Sequence, residues 1–181
     1  ITLTLFASRV RNPIEVDRSA GLVLTNLSEP TTNTGVEVLG TARRGLFAVT
    51  GTYTFVNARE SEDGQRVAVG LTPRHSAGLV GMIESEDVGR LGLEVYYTGR
   101  QRLEFNPYRD ESAPYVLLGL LVERRVGRAR LFVNFENLTN VRQSNWDRLL
   151  LPRRAADGRW TVDAWAPLEG RNINGGMRIE F

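Results

Sequence analysis

The residues of this sequence best suited to binding chemistry lie in one long polar stretch. Between Val141 and Gly170, Trp146, Trp160 and Trp165 stand among Arg142, Arg148, Arg153, Arg154 and Arg159. Guanidinium forks suit the anionic oxygens of a chelate or a lipid phosphate, and indoles supply stacking area. The opposing reading is a self-packed loop with arginine stacked on tryptophan. A second candidate is Phe105-Asn106-Pro107-Tyr108-Arg109-Asp110-Glu111, where Tyr108 and Arg109 offer similar chemistry. Asp110 and Glu111 lack the ligand spacing of a calcium loop. His75 precedes Ser76, but neighbouring side chains of a strand point to opposite faces, so the two cannot act as base and nucleophile. With no cysteine and one histidine, the usual thiolate and imidazole metal sites are missing. Neither an enzyme nor a cofactor is expected.

These residues hang on a chain of 181 residues, which predicts one domain, residues 1–181. Lys+Arg of 23 against Asp+Glu of 21 leaves a net charge of +2, and no field suited to gripping nucleic acid. Every basic residue is arginine. Genomic bias explains that first, and a preference for bidentate, always-charged side chains second. No run approaches the roughly 18 apolar residues of a membrane helix, whereas a membrane-spanning strand needs only about 10 alternating ones. The start at Ile1 falls inside a strand pattern and reads like a mature or cut N-terminus.

Period-two alternation predicts eight strands and no helix. Ile1, Leu3, Leu5 and Ala7 begin a first strand running towards Val16. Leu22 to Ala42 is expected as one bulged strand, with two short strands as the alternative. Phe47, Val49, Gly51, Tyr53 and Phe55 give the cleanest alternation, and a polar connection follows from Asn57 to Pro73. Strands from His75 to Glu84, Leu91 to Gly99, Tyr115 to Arg125 and Leu131 to Phe135 lead to the last, in which Ile173, Gly175, Met177, Ile179 and Phe181 share a face. Short turns alternate with long connections, so the long loops emerge at one end; the short connection of the first hairpin, around Asp17 to Gly21, is the exception. Tyr53, Phe55, Tyr97 and Phe135 fall at the long-loop end, and Phe47 and Phe181 at the other, like two aromatic girdles. No ionised residue falls on the apolar face between the strand ends. A lipid-facing arginine at the midplane costs about 2 to 4 kcal/mol, so a bilayer would enforce that absence. The inward row Glu37, Arg43, Arg90, Glu94, Arg130, Glu136, Arg178 and Glu180 reads as a solvated or mutually paired lining.

Asn174, Gly176, Ile179 and Phe181 resemble the C-terminal signal that marks bacterial outer-membrane barrels for the barrel assembly machinery, although an aromatic is commoner at position 179. Phe132-Val133-Asn134-Phe135-Glu136-Asn137-Leu138-Thr139-Asn140 resembles the penultimate-strand motif of TonB-dependent outer-membrane receptors. Asn33-Thr34-Gly35-Val36-Glu37-Val38, Tyr53-Thr54-Phe55-Val56-Asn57-Ala58, Thr72-Pro73-Arg74-His75 and Tyr96-Tyr97-Thr98-Gly99 continue that resemblance in the family's order. The resemblance implies an all-β, antiparallel transmembrane β-barrel of about 22 strands in the bacterial outer membrane. It implies contact with membrane lipid and lipopolysaccharide. It also implies a plug domain and a TonB-type energy transducer, both through N-terminal parts this chain lacks.

The function expected is that of the C-terminal barrel part of a receptor importing a scarce nutrient such as a metal chelate. Tyr108, Arg109, Trp146, Arg148, Arg153, Arg154, Trp160 and Trp165 are its candidate ligand contacts. The alternative is a standalone eight-stranded barrel, structural or adhesive, closing on itself around a filled interior. A soluble lipocalin-like binder, its apolar face turned inward, ranks third.

Overall fold

The computed structural model describes residues 1–17, 23–62, 64–155 and 158–179. Its main sheet is nine-stranded, and the path of hydrogen-bonded neighbours is β1-β4-β5-β7-β8-β9-β10-β11, with β6 paired to β5 off that path. The strands are β1 (Thr2–Val10), β4 (Thr31–Arg44), β5 (Phe47–Glu62), β6 (Gln65–Ala68), β7 (His75–Ser85), β8 (Gly89–Thr98), β9 (Tyr115–Val126), β10 (Ala129–Glu136) and β11 (Asn172–Ile179). All neighbours are antiparallel. A separate hairpin pairs β2 (Ile14–Asp17) with β3 (Val23–Asn26). Among the described residues the one helical turn is the 3-10 segment Gln143–Asn145. Among the described residues β1 and β11 are not paired with each other, so the sheet is open at both edges.

The eight strands along that path are those the alternation predicts, and two boundaries differ. The expected bulged strand from Leu22 to Ala42 is instead two strands in different sheets, β3 and β4. Pro30, which has no N–H to give a ladder, stands between them. The first strand likewise stops at Val10, and β2 restarts after Pro13. The connection from β1 to β4 is therefore long and contains the β2–β3 hairpin, which removes the exception to the loop asymmetry. The polar stretch after Asn57 continues β5 to Glu62, because β6 folds back on it and supplies its ladder partners.

At the other end the turns are minimal. Arg44 faces Phe47 and Val126 faces Ala129, leaving two-residue loops that open on Gly45 (φ +58°) and Gly127 (φ +61°). A glycine with positive φ at the first loop position suits the twist of a two-residue hairpin.

The register sorts side chains without a slip. Leu5, Val36, Phe55 and His75 form one cross-strand row. Ile83, Leu91, Val122, Val133 and Gly175 form another on the same face. Thr4, Glu37, Thr54, Ser76 and Thr98 line the opposite, polar face. Among the described residues nothing covers the apolar face: Leu5 is 76% and Met177 60% exposed. So wide an uncovered apolar surface belongs to a sheet solvated by lipid. Its arginines near the short turns, Arg44 and Arg124, sit at the strand ends; Arg124 faces Gly89, the first residue of β8. On the polar face Glu123 lies between Arg90 (3.3 Å) and Arg130 (3.2 Å), so this part of the lining is mutually paired.

Three aromatic rings on the polar face lie over glycines directly opposite them: Phe6 over Gly35, Tyr96 over Gly78 and Phe132 over Gly176. Each ring takes the space that a side chain on the neighbouring strand would need, which pins the register. The sites differ in what blocks a methyl group. At Gly176 a Cβ would meet only the Phe132 ring, at 2.8 Å. At Gly35 it would also meet the backbone oxygen of Phe55, at 2.2 Å. Gly176→Ala should therefore cost about 1 to 3 kcal/mol and recover when Phe132→Leu is added, whereas Gly35→Ala should not recover with Phe6→Leu. Urea unfolding of the assembled protein, read from heat-modifiable gel migration, checks both pairs.

Candidate functional site

At the long-loop end the segments 99–114 and 137–171 fold onto each other around a small core of their own. Leu103, Trp165 and Ala166 are its buried residues, packed by Ala113, Tyr115 and Trp146. A loop can bury apolar groups only if its backbone finds partners, and Gln143, completely buried, supplies many of them. Its Oε1 accepts the N–H of Trp165 (2.8 Å), and its Nε2 donates to the carbonyl of Asp163 (2.9 Å). Its own N–H donates to Pro167 and its carbonyl accepts from Trp146 and Asp147. On the facing segment the Gln101 side chain donates to the Trp165 carbonyl at 3.1 Å, and Ser112 Oγ accepts the Gln101 N–H at 2.9 Å.

Asp147 completes this hub. One carboxylate oxygen accepts from Arg109 Nε at 2.7 Å, and the other accepts the Trp165 indole N–H at 3.2 Å. The Arg109 guanidinium also lies 5.8 Å from the Trp165 ring centroid, and the rings of Trp146 and Trp165 are 5.3 Å apart. Tyr108 donates its hydroxyl to the Leu150 carbonyl at 2.6 Å. Four of the eight candidate contacts, Tyr108, Arg109, Trp146 and Trp165, are thus engaged in holding the loops together. Trp165, only 4% exposed, has no face left for a ligand. The self-packed reading describes these four.

The other four are at the surface. Arg148, Arg153, Arg154 and Trp160 are exposed, and Arg154 Nε donates to the Gly158 carbonyl at 3.0 Å. They belong to an arm in which Leu150 bridges Thr161 and the Leu151 N–H donates to the Trp160 carbonyl. Between this arm and Phe105-Asn106-Pro107 opens a cleft of about 380 Å³, largely apolar, lined also by Leu151, Pro152, Arg153 and Arg159. Arg159 lies 5.9 Å from the Phe105 ring and 2.7 Å from Asp163. Composition does not flag Gln143, Gln101 or Ser112, which read as ordinary loop polars. Asp147 had a readable signal in lying among the tryptophans and arginines.

A second knot ties the segment 99–114 to the β5–β6 hairpin. Arg102 pairs with Glu60 (3.5 Å), Glu62 and Glu104 (3.4 Å), three carboxylates around one guanidinium. Glu60 lies beyond the apolar band; burial first, then the neighbouring Glu104 carboxylate, raise its pKa above the usual carboxylate range. Glu111 faces Arg100 at 3.5 Å. Among the described residues no group of acidic or histidine side chains could hold a metal ion. His75 sits on the apolar face, its Nδ1 hydrogen-bonded to the Tyr53 hydroxyl at 2.8 Å, while Ser76 is on the polar face opposite Thr54. Of the terminal motif, Asn174 donates to Glu136 at 3.2 Å and Ile179 faces Ala129, while Phe181 lies outside the described residues.

Removing the Asp147 carboxylate strands a guanidinium and an indole N–H, at about 1 to 3 kcal/mol each. Asp147→Ala should expose residues 142–166 to protease while the sheet stays protected; limited proteolysis with mass spectrometry measures this. Because the Glu60 pKa is raised, its contribution to stability is present below its ordinary value and lost as pH rises through the raised one. Hydrogen exchange of residues 100–104 should therefore be slower at mildly acidic than at alkaline pH, after correction for intrinsic rates, and Glu60→Gln should flatten the difference.

The comparisons with known proteins agree with this architecture. The sequence model of the family "TonB dependent receptor-like, beta-barrel" matches residues 1–138. A search of curated protein sequences finds no match. Among solved structures, the ferric-catecholate import receptor Fiu from K12 E. coli superposes with a TM-score of 0.68 at 16% identity, over 99% of this chain and 25% of that one. The ferric enterobactin receptor PfeA from Pseudomonas aeruginosa gives 0.69 at 18% identity, over 99% and 28%. FpvAI, in its complex with a pyocin, gives 0.69 at 15% identity, over 99% and 25%. This chain thus spans about a quarter of the length of these structures, and at such identities they establish the shared fold. Family match, fold and uncovered apolar face agree: the chain belongs to the TonB-dependent receptor-like β-barrel family, a family of receptors and not an enzyme class.

Proposed function

We propose that this chain is the C-terminal barrel part of a receptor in the bacterial outer membrane that imports a scarce nutrient, such as a metal chelate. The observation that carries the reading is the pairing of an unbroken lipid-suited face with a built loop layer at one end. That layer presents a largely apolar cleft lined by the guanidinium groups of Arg153 and Arg159 and by Glu104, whose carboxylate pairs with Arg102 at 3.4 Å; the two arginines suit the anionic oxygens of a chelate. Of the exposed candidate contacts Arg153 lines this cleft, and Arg148, Arg154 and Trp160 stand on the surface of the same loop. Tyr108, Arg109, Trp146 and Trp165 hold the surface in shape. The names of Fiu and PfeA, a ferric-catecholate import receptor and a ferric enterobactin receptor, support that ligand class.

In this reading the long loops are extracellular and the polar face lines the lumen, where a plug domain from the N-terminal part of the receptor sits and answers to a TonB-type transducer. Asn174, Gly176, Ile179 and Phe181 serve as the signal read by the barrel assembly machinery. Import uses the whole receptor, and this chain contributes wall and loops.

The test is binding of an iron–catecholate chelate to the full-length receptor, followed by fluorescence quenching, with uptake of labelled iron by cells as the second readout. Phe105→Ala with Arg153→Gln should weaken binding by about tenfold or more while leaving heat-modifiable migration unchanged. Undiminished binding and uptake in that variant would remove the cleft from the function. A second measurement bears on the standalone eight-stranded barrel. Leu5→Cys and Met177→Cys stand on the two unpaired edges, and a disulfide needs Cβ atoms about 3.5 to 4.5 Å apart. No crosslink is expected in the full-length receptor, and an efficient one would mean that these eight strands close by themselves.

A further inference from the structure

The carboxylate of Glu104 belongs to two places at once. It lines the cleft together with Phe105, Arg153 and Arg159, and it is one of the three carboxylates around Arg102. Arg102 does not serve all three alike. Its Nη2 is turned to Glu62, and the two hydrogens of its Nη1 go to the Ala68 carbonyl (3.1 Å) and to Glu104 (3.4 Å). Glu60, 3.5 Å from the same Nη1, is left without a guanidinium hydrogen of its own.

The surroundings offer Glu60 no further cation. Its partner on β6, Val67, is uncharged, and Arg66 is turned to Thr32 and the Pro30 carbonyl. Arg59, beside it on β5, is turned to Asn57, and in the segment 99–114 Arg100 holds Glu111. The charges that Glu60 meets are therefore Arg102, Glu62 and Glu104. Three carboxylates against one guanidinium leave a formal excess of negative charge in a partly buried place, and a proton on Glu60 reduces it.

Glu60 and Glu104 meet across Gly70. Glu60 is the fixed member: it stands on a strand, its side chain is 25% exposed, and it accepts the Gly70 N–H. Glu104 is the movable one, 39% exposed on a connecting segment, with its carboxylate laid where a side chain on Gly70 would be. When Glu60 ionises it competes for the Nη1 hydrogen that Glu104 now takes, and it repels the Glu104 carboxylate.

We infer that Glu104 is a built-in competitor for the anion cleft, kept on Arg102 while Glu60 is protonated and released towards the cleft when Glu60 ionises, so that anionic ligands bind more tightly in mild acid than in alkali. The cation open to it is Arg153, which among the described residues meets no carboxylate, whereas Arg159 already holds Asp163 at 2.7 Å. The sign follows from the raised pKa of Glu60: the proton is present in mild acid and leaves as pH rises through that value. Its loss adds one negative charge beside the cleft and loosens a second, and both act against an anion. The inference rests on the anion-binding cleft proposed above.

The full-length receptor in nanodiscs would be titrated calorimetrically with naphthalene disulfonate, whose charge is constant over the range, and with the uncharged naphthalene disulfonamide. The disulfonate should bind at least about threefold more weakly at about pH 8 than at about pH 5, and the disulfonamide equally at both. Glu60→Gln should flatten the profile at the tighter value, and Glu104→Gln should flatten it by restoring binding at the higher pH. Equal disulfonate binding at both values by the unmodified receptor overturns the inference without requiring any variant to fold. An equal fall for the disulfonamide shows a loop layer that loosens with pH and also overturns it. Phe105→Ala with Arg153→Gln separates the two readings. A flat profile that this variant weakens removes only the competitor, whereas binding that it leaves unchanged, or no binding at either pH, removes the anion cleft and the competitor together.

Discussion

The structure depends on backbone pairing at fixed register. In hydrocarbon every peptide N–H and C=O needs a partner within the protein, and antiparallel strands meet that demand only if their neighbours stay in step. A slip of one residue in β7 would turn Leu79 and Ile83 inward and set Glu84 against lipid. Two-residue turns at one end and ring-over-glycine contacts on the polar face hold the step. The uniform apolar face is the product of that step, since the same alternation out of register would present a mosaic.

Such a wall leaves little freedom at its middle and much at its long-loop end. Once past the apolar band, strands need no lipid-compatible side, and β5 runs on to Glu62 with charge on both faces. There the chain builds a second kind of stability, from buried polar groups that are fully partnered. Gln143 and Asp147 are satisfied on nearly every side by neighbours distant in sequence. A buried network of this kind is sensitive to the loss of any one member. It also fixes a loop conformation that propensity would leave open.

The wall was the legible part of the sequence. Alternation located most of the strands because burial against lipid imposes a period of two, while Tyr115 to Arg125, apolar on both sides from Val116 to Val122, stood out as an apolar run between turns; the loop asymmetry followed from where these patterns stopped. The split between β3 and β4 was less legible, since the pattern from Leu22 to Ala42 is interrupted around Pro30 and such an interruption reads equally as a bulge or a break. At the site, tryptophan and arginine marked the right loop but not the division of labour within it. Trp165 and Arg109 became the interior of the loop layer, and Trp160 and Arg153 its surface, because of a glutamine whose type carries no signal. Only its neighbours in space, Asp163 to Pro167, give Gln143 its role, and they lie some twenty positions away.

The arm from Leu149 to Val162 is closed at its root by paired backbone, Val162 N–H to the Leu149 carbonyl at 3.0 Å. The hub of Gln143, Asp147 and Trp165 lies outside that closure. The arm is therefore a cassette on a fixed socket. Its sequence can drift, lengthen or be exchanged for another with little disturbance of the interior below, apart from the tether of Tyr108 to Leu150, the contact of Arg159 with Phe105 and the pairing of Arg159 with Asp163. A sheet built this way can change the surface carried at its loop end while the wall itself stays unaltered.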